Sequence, residues 1–147
     1  PEFGGDSHGV QARLQDVKSI QGSDFAFAAL CGDGSVVTWG DPDSGGDSSA
    51  VLERLKDVQR IQATTQAFAA ILADGSVVTW GRATHGGGSA HLEDRLRDVK
   101  QVQATKHAFA AILGNGDVVT WGDPVFGGDS TSVRGELHRV HQIQAMI

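Results

Sequence analysis

The sequence has a single cysteine, Cys31, which excludes an intramolecular disulfide and leaves no set of thiolates for a metal cage. Runs of Lys or Arg are also missing: 12 basic residues stand against 18 acidic ones, for a formal net charge of −6. Nucleic-acid binding rests on clustered basic side chains that neutralise phosphates, so this balance argues against a nucleic-acid partner and is compatible with a protein one. The longest apolar stretch, over 67–73, is far shorter than the roughly 20 residues of a bilayer-spanning helix, so no transmembrane segment is expected. No secretory or transit segment is legible. The sequence opens without an initiator methionine, so any targeting segment is expected upstream and the compartment stays open.

Glycine is in excess: 20 residues, about double the usual share. The glycines recur periodically and so punctuate a folded structure. The motif Val-Val-Thr-Trp-Gly appears three times, with Trp39, Trp80 and Trp121 spaced 41 residues apart. The chain divides into units 1–41, 42–82 and 83–123 and a partial unit 124–147, which form a single array. Self-similarity at this period is the signature of a solenoid or propeller.

Each unit opens on a glycine-rich turn, Gly45-Gly46-Asp47-Ser48 in the second, where paired glycines permit positive φ and Asp or Ser caps the next segment. Over 50–57 the spacing of Val51, Leu55 and Val58 suits one or two helical turns, with Ser48 as N-cap. Apolar residues three apart at Val58 and Ile61 break strict alternation and predict a bulge. Asp33-Gly34, Asp74-Gly75 and Asn115-Gly116 each separate two β-prone runs and predict type I′ hairpins. Each unit is thus expected to hold three strands, with a short fourth element. Small residues such as Ala67, Ala69 and Ala70 suggest closely approaching sheets. Phe27, Phe68 and Phe109 with Trp39, Trp80 and Trp121 would be the large fillers between them.

The run Phe-Ala-Ala-Ile-Leu-Ala-Asp-Gly-Ser-Val-Val-Thr-Trp-Gly at 68–81 resembles the regulator of chromosome condensation repeat, in which an apolar strand, an Asp-Gly turn and a strand ending in Trp-Gly recur. The Gly-Gly-Asp-Ser turn stands where that family usually carries Gly-Gln-Leu-Gly. The resemblance covers the whole chain and implies an all-β fold: about three and a half blades of a β-propeller, each of three to four short antiparallel strands with a short helical turn. Seven blades, the family's number, need about 287 residues at this period, so the chain is expected to be a fragment or an open arc. The Gly-Trp-Arg-His-Thr segments of the ultraviolet-photoreceptor branch are missing. The repeat wording also resembles that of large proteins of single-celled algae, which implies, as one version, a peripheral subunit of a plastid membrane complex such as a photosystem.

Catalytic and metal chemistry finds little footing. None of the six histidines keeps its place in a second full unit. His138 and His141 beside Glu136 are the nearest approach to a metal cluster, and a solvated face explains them equally well. His85 and His107 fall in a turn and before a strand, where exposure is the default. Asp6, Asp47 and Asp129 read as turn caps, because one Asp per unit cannot build a calcium cage. No nucleophile elbow is present. Cys31 replaces a leucine of the other units and reads as a small buried hydrophobe. Arg13, Arg54 and Arg95 stand three residues before Asp16, Asp57 and Asp98, as intrahelical ion pairs would. No cofactor is expected, and no enzyme activity.

In repeat proteins the shared positions hold the fold, and function is expected where copies differ. The differences cluster in the opening turn (Glu2-Phe3, Asp43-Ser44, Thr84-His85, Val125-Phe126) and in the loop before the second strand (Ser23-Asp24-Phe25, Thr64-Thr65-Gln66, Thr105-Lys106-His107). Phe3, Phe25, Asp24, His85, Lys106, His107 and Phe126 are therefore the candidate interface. The expected function is a non-enzymatic protein-binding or scaffold module, an accessory part of a larger assembly, with a partner or further repeats covering the open blade faces. Family analogy implies a rival, a nucleotide-exchange or chromatin-associated regulator. A third reading is an enzyme or inhibitor whose site lies in further blades.

Overall fold

A computed structural model of the chain describes residues 4–146. It contains three three-stranded antiparallel sheets, one per unit, in the order β1 (Val17–Gly22), β2 (Ala26–Cys31), β3 (Val36–Gly40); β4 (Val58–Ala63), β5 (Ala67–Leu72), β6 (Val77–Gly81); and β7 (Val99–Ala104), β8 (Ala108–Leu113), β9 (Val118–Gly122). The fourth element of each unit is a 3₁₀ turn, such as Ser49–Arg54.

The middle strands are apolar on both faces because each sheet is packed between neighbours. In the second unit, Phe68 pairs with Trp80 and Ala70 with Val78, and these point back at the first sheet. Ala69, Ile71 and Val77 point forward into a second cluster with Leu92, Leu96, Val99, Val102, Phe109 and Trp121. Phe and Trp stack at 5.4 Å in the second and third units and at 5.5 Å in the first. Each indole Nε1 donates to a carbonyl of its own unit's opening turn, at Gly4, Gly45 and Gly86, so the buried polar end is satisfied.

Adjacent sheets are tied by backbone bonds at both ends. At the hairpin end, the amides of Val58, Val99 and Val140 donate to the carbonyls of Gly34, Gly75 and Gly116 at 2.9–3.0 Å. At the opposite end, Asp24 N–H donates to the Thr65 carbonyl and Thr65 N–H to that of Lys106.

Four local expectations are revised. First, only the glycine of each Asp-Gly takes positive φ (83° at Gly34), and Gly34 N–H donates to the Cys31 carbonyl while Cys31 N–H donates to that of Ser35. This is a three-residue loop ending on a bulge, where a type I′ turn requires two positive φ values. Second, Ser48 stands at the N-cap position without capping. Its hydroxyl meets that of Thr38 at 3.0 Å, and Asp47 caps instead, accepting from Ser49 N–H. Third, the Arg-Asp pairs do not form. Arg54 reaches Glu93 of the next unit at 2.9 Å, while Asp16, Asp57 and Asp98 occupy the left-handed region at φ 51–54°, which Asp tolerates better than most residues. Arg139 takes that conformation in the partial unit. Fourth, His85 and His107 are half-buried, whereas sequence position suggested simple exposure.

The predicted bulge is present: the register shifts between Val58 and Arg60, and equivalently in the other two sheets. Cys31 is buried, as a small hydrophobe would be.

Candidate functional site

The two variable clusters lie 21 residues apart in sequence and meet in space. A hydroxyl in the loop of each unit holds the opening turn of the next: Ser23 Oγ donates to the Ser44 carbonyl, Thr64 Oγ1 to that of His85 and Thr105 Oγ1 to that of Phe126, at 2.9–3.1 Å. Together with the loop-to-loop backbone bonds, these contacts lay the differing side chains in one row along the end of the sheets opposite the hairpins.

The row is best developed at the third unit. The rings of His85 and His107 lie 4.1 Å apart, and those of His107 and Phe126 4.3 Å apart, both tilted. His107 Nδ1 faces the Asp123 carboxylate at 3.9 Å, and His85 Nδ1 faces the Thr84 hydroxyl at 3.0 Å. Val125 and Phe126 stand out at 86% and 42% exposure, next to exposed Lys106. In the first unit, Asp24 is exposed and Phe25 half-buried. Phe3 lies outside the described residues.

The fold thus brings His85, His107, Lys106 and Phe126 together, with Asp24 and Phe25 further along the same edge. Sequence reasoning counted Ser23, Thr64 and Thr105 among the differing positions and missed that their hydroxyls position this edge. Their signal was a hydroxyl kept at that position in every full unit.

Burial, then the nearby His107 and the Arg82 charge, lowers the pKa of His85, against a smaller opposing pull from Asp123. In the pH range around the ordinary value of 6.5, the folded state therefore binds fewer protons at His85 than the unfolded state. Its contribution to stability is complete above that value and is lost as pH falls below it, through the lower folded-state value. Replacing His85 with serine, the residue of the preceding unit, is expected to flatten the fall in melting temperature between neutral and mildly acidic pH. Parallel thermal melts across that range check this.

Three antiparallel strands per unit, stacked face to face with every unit tied to the next at both ends, decide the architecture. These are β-propeller blades. Solved propellers agree with this fold. The blades are similar to the CRINKLY WD40 ectodomain of the Arabidopsis thaliana receptor kinase ACR4, with 22% identity and TM-score 0.54 over 78% of this chain and 40% of that one. They are also similar to Prp20p of Saccharomyces cerevisiae, with 20% identity and TM-score 0.53 over 76% and 34%, and to human WBSCR16, with 19% identity and TM-score 0.53 over 72% and 33%. Prp20p is described as binding Gsp1p and histones. This chain spans only about a third to two-fifths of those structures. No family model and no curated protein sequence matches it.

Among the described residues no three His, Cys, Asp or Glu side chains converge as metal ligands, and His138 faces Asp117 at 3.6 Å. No helix is long and apolar enough to cross a membrane among those residues.

Proposed function

We propose that this chain is a non-enzymatic protein-binding module and that the row from Asp24 and Phe25 to Lys106, His107, His85 and Phe126 is its contact surface. The observation that carries this reading is the convergence of the two variable clusters on one edge. Shared residues build the blades, and the residues free to differ are gathered where a partner reaches several blades at once. Exposed Phe126 and Val125 supply apolar anchors, while Lys106 and the histidines supply polar contacts around them. His107, itself held against the His85 ring, restricts Phe126, so less side-chain freedom is lost on binding.

Prp20p, a propeller described as binding other proteins, makes this reading consistent with the fold. The nucleotide-exchange, chromatin and plastid-complex versions draw no particular support from the geometry.

A photo-cross-linking side chain placed at Phe126 or Lys106 is expected to capture a discrete protein partner in native extract. The same group at Leu52, which is 46% exposed in the 3₁₀ turn outside the row, is expected to capture none. Equal capture from all three positions would show that the row is not the contact surface.

A further inference from the structure

A groove at the hairpin end of the sheets changes its charge from one joint to the next. Between the second and third units it runs from Arg54, Ser76 and Val77 to Glu93, Leu96 and Arg97. There Arg54 meets the Glu93 carboxylate at 2.9 Å, so the arginine is neutralised within the fold. One 41-residue period on, the same groove recurs between Arg95, Asp117 and Val118 and Arg134, Leu137 and His138, and holds about 280 Å³. Only a hairpin and the 3₁₀-turn region of the following unit line it. At the earlier joint the lining stops at Arg97, before β7 begins.

The later groove has lost its neutralising carboxylate. Arg134 stands where Glu93 stood, so two guanidiniums line one groove. The one carboxylate in the lining, Asp117, is engaged on both oxygens: His138 Nδ1 lies 3.6 Å from Oδ1, and Asn115 Nδ2 donates to Oδ2 at 3.2 Å. Among the described residues, neither Arg95 nor Arg134 has an ion pair through its side chain. The arginine is kept as Arg13, Arg54 and Arg95, while the position that meets it differs in every unit, as Gln11, Leu52, Glu93 and Arg134.

We propose that this groove is an oxyanion site, where a carboxylate or phosphate group of a ligand takes the place that Glu93 fills one joint earlier and bridges Arg95 and Arg134. Planar guanidiniums bind such groups through paired N–H donors, and an anion between them removes their mutual repulsion. Both arginines are exposed, so a single group binds weakly, and a ligand carrying several binds more tightly. The site lies at the end of the sheets opposite the binding row and stands whether or not that row binds a protein.

Amide chemical shifts of the full chain, titrated at constant ionic strength, test the proposal. The probes are inorganic phosphate and a hexaglutamate peptide, with chloride as the control. Saturable shifts are expected around Leu113, Asp117, Val118 and Leu137, with a dissociation constant on the order of 1 mM for phosphate. Tighter binding of the peptide would assign the anion to carboxylates of a protein segment, and tighter binding of phosphate to a phosphate-bearing ligand. Arg134→Glu restores the pairing of the earlier joint and should weaken both probes about tenfold or more. Arg95→Gln should weaken them as well, and both variants change exposed side chains. Shifts no larger than those from chloride would overturn the proposal. So would binding left unchanged in the two variants.

Discussion

Phe68→Ala is expected to lower the free energy of unfolding by about 3–5 kcal/mol, enough to consume much of the stability of a domain this size. Phe68 has no exposed surface, lies against Trp80 at 5.4 Å, and packs among Ala26, Ala28 and Leu30 of the preceding blade. Truncation leaves a cavity at the joint between two blades, where both neighbours are held by backbone bonds and cannot easily collapse into it. Phe27→Ala removes the same ring from the same register, but Phe27 is half-buried where Phe68 is fully buried. Its cost should be clearly smaller. Denaturant unfolding followed by tryptophan fluorescence compares the two. Equal losses would mean that blade stacking contributes less than packing inside each unit.

Gly45→Ala carries the second large effect, about 2–5 kcal/mol, from a strained left-handed backbone and an overpacked contact together. Gly45 has φ 101°, and a Cβ there would run into the Phe68 ring. Gly127 has the same conformation, but the nearest atom to a Cβ is Thr105 Cγ2 at 4.0 Å. Gly127→Ala should therefore cost only the conformational part, about 1–2 kcal/mol. Thermal melts of both variants separate the two contributions. Similar losses would show that the turn's backbone alone, and not the ring above it, selects glycine.

The fold was legible because its signals are local and repeated. The 41-residue period, the β-prone runs around Asp-Gly, and the offset of Val58 and Ile61 all act within one unit, and the strands and bulge appear where those signals put them. The errors arose between units. Ser48 looked like a cap because its partner, Thr38, belongs to the previous blade. Arg54 and Asp57 looked like a pair because Glu93 is far along the chain. The hairpin glycine looked like half of a type I′ turn, but it lies against the backbone of Asp57 in the next unit.

The candidate site shows the same division. Comparing copies located its residues, but in two separate groups. Their union depends on Ser23, Thr64 and Thr105 reaching the following unit's turn. The tilted ring contacts of His107 with His85 and with Phe126 depend on that contact in turn, and no spacing rule within one unit contains them.

The central claim is a division of labour, with shared positions holding the blades and differing positions binding the partner. Its most direct test is one chain carrying His85→Ser, Lys106→Thr, His107→Gln and Phe126→Ser, with melting and partner cross-linking measured on the same preparation. The first three substitutions borrow residues from the preceding unit, and all four lie on the proposed surface. The account predicts a cooperative melt within a few degrees of the wild type and loss of the cross-linked partner. A chain that fails to fold, or one that still captures the partner as well as the wild type, would contradict it.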